Sequence, residues 1–586
     1  MIAYQIDLAD LRSHHYRVTL TVAQPAAETL LSLPVWINGS YMVREFGRHI
    51  SGLAARQGRR ALAAEQIDKT TWRLRCTGRS ALTVSYRVYA FDTSVRAAFL
   101  DEQRGFFNAS SLCLRVQGRE AEPHHLGLGR LPAGWQVATA MAPAPASAGF
   151  DFEAADYDEL ADHPVELGRF WRGSFQAAGV PHEFVVTGAL PGFDGPRLLA
   201  DARRICCQQI EFWHAQDGSA PPFNRYLFLL NAVADGYGGL EHRASTALIV
   251  ARRDLPRELL AHPRGHGLGV PDGYATLLGL ISHEYFHTWN VKRLKPAELA
   301  QIDHQTENYT ELLWFFEGFT SYYDDLMLLR CGLIDPGRYL KLLAKTINAV
   351  AATPGRRVQS VAQASFDAWV KYYRSDENTP NATVSYYAKG SLVALAFDLT
   401  LRQHGASLDD VMRGLWQRSG GGPISELQIS ELLAQVAGRP LTDELRDWVH
   451  GTDELPLADL LQDIGVQWRP ERAGFAAGLG LRLSEGPVTG VQVKSVLDGS
   501  AAAAAGVSAG DELLAVDGWR IRRLDEAQAW LVRDQPFELL LVRDQRVMAL
   551  QLHPDAASPL TESVSLHLHD KPGRTAAERR RAWLGA

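Results

Sequence analysis

The segment Ile281–Trp289 constrains this chain most, because it contains His-Glu-x-x-His in a run predicted to be helical from about Gly273 to Val291. Residues four apart on an α-helix point in nearly the same direction, so we expect His283 and His287 to share one metal ion. Glu284 lies about 100° further round the helix and can reach water at the metal's open position. With 19 histidines in the chain, the motif needs support from other residues.

A carboxylate further along the chain is the third candidate ligand. Glu317 lies in a second apolar helical run, Leu312–Tyr323, with 29 residues between it and His287. A lone carboxylate among aromatic side chains is costly to bury unless a cation or a metal pairs with it. Two histidines and one carboxylate are typical ligands of a hydrolytic zinc site, with one position left for water. The alternative is a carboxylate that forms a salt bridge in the core.

Composition excludes several classes of protein. The 586 residues are 46% hydrophobic and 22% charged, values typical of a soluble globular protein, and the chain is long enough for several domains. A formal net charge of −7 gives no reason to expect nucleic acid or a membrane as a partner. Five scattered cysteines favour a reducing compartment over a disulfide framework. The sequence contains no visible signal peptide or membrane-spanning run, so we expect a cytoplasmic enzyme.

Hydrophobic patterns change along the chain. Alternating runs such as Tyr16–Val22 and Leu82–Val88 predict an N-terminal antiparallel β domain. Mixed α/β signals follow, and then apolar residues three and four apart predict the helices Tyr339–Val350, Ser391–Gln403, Leu408–Arg418 and Ile424–Ala437. A small module of short strands comes next, with a helical stretch over Leu524–Val532, and the polar tail ends in a helix-like stretch over Ala576–Leu584.

We therefore predict a multidomain α+β protein. Its predicted regions are an N-terminal β-sandwich-like domain (1–175), a catalytic domain (176–330), a helical domain that completes the active site (331–465), a small β module (466–556) and a C-terminal tail (557–586).

Two motifs make the chain similar to a known family. His283-Glu284-x-x-His287 and Trp314-x-x-Glu317-Gly318-Phe319 together resemble the gluzincin aminopeptidases. The long gap before Glu317, the run His283–Asn290 and a PDZ-like module are similar to the glycyl aminopeptidase family, over nearly the whole chain. The resemblance implies a β-rich N-terminal domain, a thermolysin-like catalytic domain, one zinc ion, and a preference for peptides that begin with Gly or Ala.

The resemblance also implies roles for two further residues. Gly238-Gly239-Leu240-Glu241-His242 is similar to the Gly-x-Met-Glu-Asn segment, with Leu for Met and His for Asn, whose carboxylate binds the free α-amino group of the substrate. The alternative for Glu241 is a surface carboxylate in a glycine-rich turn. Tyr387-Ala388-Lys389-Gly390 resembles the Tyr-Glu-Lys-Gly segment that supplies a transition-state hydroxyl. The adjacent Tyr386 is the alternative donor, and both tyrosines could instead be core residues.

Two other segments resemble parts of the family. The C-terminal module resembles a PDZ domain whose peptide-binding loop would be Gly478, Leu479, Gly480 and Leu481, and such a groove binds the C-terminal end of a peptide as an added strand. The alternative is a module that only packs on the catalytic part. The aromatic loop from Trp36 to Tyr41 is similar to the Pro-Gly-Ser-Tyr segment, and we expect it either to help close the active site or to pack as a hairpin.

The motifs together predict a zinc-dependent aminopeptidase that acts on peptides with a free N-terminus. Glu284 is the expected general base, Tyr387 the expected oxyanion donor, and Glu241 the expected anchor for the α-amino group. Two alternatives remain at this stage. One is a zinc endopeptidase of the same clan, in which Glu241 has no amine-binding role. The other is a non-catalytic PDZ-type peptide-binding scaffold.

Overall fold

The computed structural model describes residues 1–145, 149–216, 218–258, 270–486, 488–532, 534–555, 560 and 562–585. The chain divides into two compact units, residues 1–308 and residues 309–586. Among the described residues, none of the helices has the length and apolar character that crossing a bilayer requires.

The first part of residues 1–308 is the predicted β-rich domain. Its strands are β1 (Ile2–Asp10), β2 (His15–Val22), β3 (Glu28–Ser32), β4 (Ile50–Gln57), β5 (Arg60–Leu62), β6 (Ala64–Gln66), β7 (Thr71–Arg75), β8 (Leu82–Tyr89), β9 (Ala98–Leu100), β10 (Arg104–Phe107), β11 (Arg115–Val116), β12 (His124–Leu128), β13 (Gln136–Ala138), β14 (Ala142–Pro143), β15 (Phe152–Ala154) and β16 (Val165–Gly168). The short helices α1 (Ala109–Leu112) and α2 (Tyr157–Ala161) interrupt them.

These strands form an eight-stranded sheet, in the order β14-β15-β12-β1-β2-β8-β4-β5, and two four-stranded sheets. Pairing is antiparallel except between β1 and β12. The predicted alternating runs are strands β2 and β8, which pair with each other along their whole length. Their alternate residues, such as Val18, Leu20 and Val84, are fully buried. The prediction of an antiparallel β domain is confirmed, with one parallel pair added.

The second part of residues 1–308 contains a mixed five-stranded sheet. Its strands are β17 (Trp171–Ala177), β18 (Val180–Thr187), β19 (Tyr226–Val233), β20 (Tyr237–Glu241) and β21 (Ser245–Ala251), in the order β17-β18-β19-β21-β20. Strands β18, β19 and β21 are parallel, whereas β20 is antiparallel and lies at the edge. Helices α3 (Gly195–His214) and α4 (Asp272–Phe286) pack on this sheet, and α4 contacts β20 and β21.

Helix α4 carries the histidine motif but is shorter than predicted. It ends at Phe286 rather than Val291, and His287 is its C-cap residue. His287 keeps right-handed helical angles, and its N–H still donates to the carbonyl of His283. The chain then turns sharply through Val291, whose φ is 127°. The four-residue spacing of the two histidines is therefore intact although the helix ends early.

Residues 309–586 begin with a helical bundle. Its helices are α5 (Leu313–Arg330), α6 (Pro336–Ala351), α7 (Val361–Phe366), α8 (Thr379–Ala382), α9 (Ala388–Gln403), α10 (Leu408–Ser419), α11 (Glu426–Ala437), α12 (Thr442–Leu445) and α13 (Leu457–Asp463). The four helices predicted in this region correspond to α6, α9, α10 and α11. Helix α5 contains Glu317 and is buried along most of its length, which agrees with its nearly continuous apolar sequence.

The C-terminal part is a small β module with a tail that folds back. Its elements are β22 (Val466–Arg472), α14 (Phe475–Gly478), β23 (Leu481–Gly486), β24 (Gly490–Val496), α15 (Ala501–Ala505), β25 (Glu512–Val516), β26 (Trp519–Arg520), β27 (Phe537–Arg543), β28 (Arg546–Leu552), β29 (Glu562–Leu568) and α16 (Arg574–Leu584). The helix predicted over Leu524–Val532 is a shorter 3₁₀-helix, Leu524–Ala529. The tail contains the predicted helix, α16, and also strand β29, which pairs with β22 and was missed from the sequence.

Candidate metal centre and substrate site

Three side chains form a group that could hold a metal ion. A ligand atom from each of His283, His287 and Glu317 lies within 4.8 Å of the others. The Nε2 atoms of the two histidines are 3.0 Å apart, and their rings are nearly perpendicular. His287 and Glu317 are each only 2% exposed. Imidazole nitrogens and a carboxylate oxygen in this arrangement fit zinc, which prefers N and O ligands in sites of this kind.

The turn after helix α4 orients His287. Its Nδ1 lies 2.8 Å from the carbonyl oxygen of Asn290. A carbonyl only accepts, so Nδ1 carries the proton and Nε2 is left as the metal-binding nitrogen. The turn is held by the Lys292 N–H, which donates to the His287 carbonyl, and by the left-handed φ of Val291, which is rare for a β-branched residue. No sequence pattern indicated this contact, because the predicted helix ran through it.

Two residues of strand β20 point their backbone N–H and C=O groups towards the open edge of the five-stranded sheet. The N–H of His242 donates to the carbonyl of Ser245 at 3.0 Å, which makes these residues a hydrogen-bonded pair. Hydrogen-bonded and non-hydrogen-bonded pairs alternate along an antiparallel ladder. Gly239 and Glu241 are therefore in non-hydrogen-bonded positions, and their N–H and C=O groups point away from β21. Since β20 is the edge strand, a strand could be added at this edge, where the Gly239 carbonyl already accepts a hydrogen bond from Arg96.

Glu284 and Glu241 lie on the same face of β20. A Cβ atom built on Gly239 would lie 2.1 Å from Oε1 of Glu284, so the Glu284 carboxylate packs directly on the backbone there. Glu241 is two residues further along, and residues two apart in a strand share a face. Any side chain at position 239 would displace Glu284, which explains why glycine occupies this position. Strand β20 thus brings Glu284 and Glu241 together.

Glu241 is a buried carboxylate with an uncompensated oxygen. The residue is 4% exposed, and within the described part of the chain its Oε1 has no hydrogen-bond partner. Gly39, in the aromatic loop, packs on it so closely that a Cβ there would lie 2.3 Å from Oε1. The loop is anchored by the Trp36 indole N–H, which donates to the carbonyl of Asp303. The loop from Trp36 to Tyr41 therefore packs against Glu241, and its expected part in closing the active site stays a prediction.

An ionic cluster around Asp162 includes His242 and Arg243, which directly follow Glu241 in sequence. Asp162 is 2.8 Å from Nζ of Lys292, accepts the Arg243 N–H at 2.8 Å, and is 3.3 Å from Nδ1 of His242. Burial alone would raise the pKa of Asp162, but Lys292 and then His242 and Arg243 outweigh it and hold the pKa well below its ordinary value. No sequence pattern indicated this cluster, because Asp162 and Lys292 lie far from His242 and Arg243 in the chain.

Helices α5 and α9 cross at two glycines, and this crossing places the tyrosine pair. A Cβ on Gly318 would lie 2.6 Å from the backbone of Gly390, so the helices are in backbone contact. Tyr387, three residues before Gly390, is the N-cap of α9 and is half-buried, whereas Tyr386 is fully buried. Burial raises the pKa of Tyr387 well above its ordinary value, and the nearby Glu317 carboxylate raises it further. Tyr387 therefore stays protonated and can donate a hydrogen bond.

The predicted peptide-binding loop of the C-terminal module spans the end of α14 and the start of β23. The N–H groups of Gly478, Leu479 and Gly480 donate to carbonyls of the preceding turn, and Leu481 begins the strand. A cavity of about 340 Å³ lies beside them and is lined in part by Phe475 and Leu531. The role of these four residues in peptide binding remains a prediction.

Comparison with known proteins defines the class and then the family. Residues 3–169 match the peptidase M61 N-terminal domain, residues 276–393 match the M61 glycyl aminopeptidase model, and residues 471–541 match the PDZ domain. Together with the converging His, His and Glu side chains, these matches define a metallopeptidase with a PDZ domain. The chain belongs to the M61 glycyl aminopeptidase family.

Solved structures agree with this assignment. An aminopeptidase N family protein from Idiomarina loihiensis is 36% identical, with 100% of each chain covered and a TM-score of 0.91. An M1 zinc metallopeptidase from Deinococcus radiodurans is 14% identical over 78% of this chain and 94% of its own, with a TM-score of 0.47, and is too distant to support any inference. No curated protein matches the sequence.

Proposed function

We propose that this protein is a zinc-dependent aminopeptidase that removes the N-terminal residue, preferably Gly or Ala, from peptides with a free N-terminus. The observation that carries the proposal is the uncompensated oxygen of Glu241 on the same strand face as Glu284. A buried carboxylate is costly unless a cation reaches it, and the α-ammonium of a peptide is such a cation. The Gly and Ala preference comes from the family resemblance.

For the metal, we propose that His283, His287 and Glu317 hold one zinc ion. The donor set fits zinc, and the bond from His287 to the Asn290 carbonyl fixes the required tautomer. Zinc bound in this way supplies Lewis-acid polarisation and activates water.

Glu284 is the proposed general base. It takes a proton from the attacking water and returns it to the leaving amine, as a carboxylate close to the reacting atoms can do. Gly239 keeps this carboxylate against the backbone of the edge strand, where an extended substrate would pair. Glu241, on the same face, would hold the α-ammonium and so fix the first peptide bond beside Glu284. An α-ammonium held at Glu241 would restrict cleavage to the N-terminal residue.

Tyr387 is the proposed donor to the oxyanion, and Tyr386 is the alternative. Tyr387 is the more exposed of the two, and it lies within the electrostatic influence of Glu317. Its raised pKa keeps the phenol protonated at neutral pH, as a hydrogen-bond donor must be. A hydrogen bond that is stronger to the developing oxyanion than to the substrate carbonyl stabilises the transition state more than the substrate.

A panel of chromogenic amides tests the proposed function. Gly-, Ala- and Leu-p-nitroanilide are compared with N-acetyl-Ala-p-nitroanilide, with and without a chelator, and after zinc is restored. We expect chelator-sensitive cleavage of the Gly and Ala substrates, weaker cleavage of the Leu substrate, and none of the acetylated control. Cleavage of the acetylated substrate would instead indicate an endopeptidase. Zinc binding without any cleavage would indicate the PDZ-type scaffold.

A further inference from the structure

Arg96 places an unpaired cation at the open edge of strand β20. The residue lies between β8 and β9, and its Nη2 donates to the carbonyl of Gly239 at 3.2 Å. Its Nη1 lies 3.8 Å from the position that a Cβ on Gly238 would take. Within the described ranges, Nε has no hydrogen-bond partner, and the guanidinium has no carboxylate in ion-pair distance. A single neutral carbonyl is thus its only hydrogen-bond acceptor in that part of the chain.

The carbonyl that Arg96 contacts is one of those that face away from β21. Gly239 occupies a non-hydrogen-bonded position of the ladder, so its carbonyl points to the open edge. Arg96 therefore lies where a strand added to β20 would run. Arginine offers five N–H donors in a planar fork, and the Gly239 contact uses only one of the two Nη groups. The remaining donors suit a carboxylate, which can accept two parallel hydrogen bonds.

The spacing along β20 sets the length of the ligand. A strand rises about 3.3 Å per residue, so Glu241 and Gly239 are separated by roughly 7 Å along the edge. Two residues in extended conformation span about 7 Å as well. A peptide that runs antiparallel to β20, with its ammonium at Glu241, would bring the carboxyl group of its second residue beside Gly239 and Arg96.

We propose that Arg96 binds the C-terminal carboxylate of dipeptides and makes them preferred substrates. The proposal rests on the proposed aminopeptidase function, because it places the substrate's ammonium at Glu241. The ammonium of a dipeptide then meets the carboxylate of Glu241, and its carboxylate meets the guanidinium of Arg96. A longer peptide presents a neutral carbonyl at the same point and gains a weaker, uncharged hydrogen bond.

The test compares a dipeptide acid with its amide. Hydrolysis of Gly-Ala and Gly-Ala amide is measured for the wild type, Arg96→Met and Arg96→Lys. For the wild type we expect kcat/KM to favour the acid by roughly 10- to 100-fold, mainly through KM. Arg96→Met should bring the acid-to-amide ratio close to one, and Arg96→Lys should give an intermediate ratio because its point charge lacks the fork geometry. Arg87→Met, at an exposed position of β8, is the matched control and should keep the wild-type ratio.

The outcomes distinguish failure of the Arg96 proposal from failure of the proposed aminopeptidase function. A wild-type ratio near one, with chelator-sensitive cleavage intact, would overturn the role of Arg96 and leave the aminopeptidase proposal standing. The same follows if Arg96→Met lowers cleavage of acid and amide equally, since that is the behaviour of a residue that only supports strand β20. If no free-amine peptide is cleaved at all, the proposed function fails, and the role of Arg96 fails with it.

Discussion

Asp162, whose side chain is 11% exposed, and the buried Glu241 are two carboxylates of residues 1–308 with opposite surroundings. Asp162 has an ammonium, an imidazole and a backbone N–H within reach, so its charge is compensated by the protein itself. Glu241 is 4% exposed, yet Oε1 has no hydrogen-bond partner among the described residues. A compensated charge contributes to the fold, whereas an uncompensated one lowers stability unless a ligand meets it. The difference supports the proposal that Glu241, and not Asp162, meets the substrate.

Replacing Asp162 should have the largest effect on stability. Asp162→Asn leaves the ammonium of Lys292, which is 3% exposed, without an anion, and we expect a loss of roughly 3–5 kcal/mol in the free energy of unfolding. Urea unfolding followed by tryptophan fluorescence measures it. Asp235→Asn is the control, because its ion pair with Arg253 is largely exposed and should contribute less than about 1 kcal/mol. Equal stability of the two variants would contradict the structural role of Asp162.

Replacing Glu241 should change catalysis rather than stability. Glu241→Gln removes the charge that meets the α-ammonium, so kcat/KM for Gly-p-nitroanilide should fall by roughly 30- to 1000-fold, equivalent to about 2–4 kcal/mol. The melting temperature should be unchanged or higher, because an uncompensated charge is removed. Glu65→Gln, an exposed carboxylate of β6, is the control for both measurements. A marked drop in melting temperature with unchanged kinetics would place Glu241 in the same class as Asp162.

His182 extends the comparison to a buried imidazole that has no anion beside it among the described residues. Burial lowers its pKa to about 4, and the partners of its ring among the described residues are the Tyr285 hydroxyl and the Val180 carbonyl. The unfolded chain takes up the proton near pH 6.5, so the stability present above that pH is lost as pH falls from 6.5 to 4. At pH 5 the loss should be about 2 kcal/mol. Unfolding free energies of the wild type and His182→Gln between pH 4 and 7 should show a flatter curve for the variant; parallel curves would contradict this assignment.

Lys389 is the cationic counterpart of Glu241 in residues 309–586. It is 3% exposed, its Nζ has no hydrogen-bond partner in the part of the chain that the structure describes, and burial lowers its pKa. Lys389→Met should raise the free energy of unfolding by at least about 1 kcal/mol, because an unsatisfied buried donor is removed. Thermal unfolding and Gly-p-nitroanilide kinetics are measured together. Lower stability of Lys389→Met would show that the charge of Lys389 is compensated, as that of Asp162 is. An unpartnered buried atom would then not identify an uncompensated cation.

The local spacing of residues was sufficient to predict many of the helices and strands. Three predicted features are properties of short segments. They are the alternation in β2 and β8, the three- and four-residue patterns of α6, α9, α10 and α11, and the four-residue spacing of His283 and His287. Strand β29 was missed although Val564, Leu566 and Leu568 alternate, because its partner, β22, lies about a hundred residues earlier and its segment is otherwise polar. The end of α4 was misplaced because the turn through Val291 depends on contacts with Leu294 and His287 rather than on a helix-breaking residue.

The sequence by itself determined the family and the histidine motif with Glu284, because these depend on residue type within short segments. The candidate roles of Glu241 and Glu317 came from their own local motifs and from the family resemblance. Only the tertiary structure decided which charges are compensated. Asp162 meets Lys292 across 130 positions, and Arg96 meets Gly239 across 143. No local pattern carries such pairs, since they form only when distant segments of residues 1–308 pack together. The proposed availability of Glu241 to a substrate therefore depends on the fold and not on its motif alone.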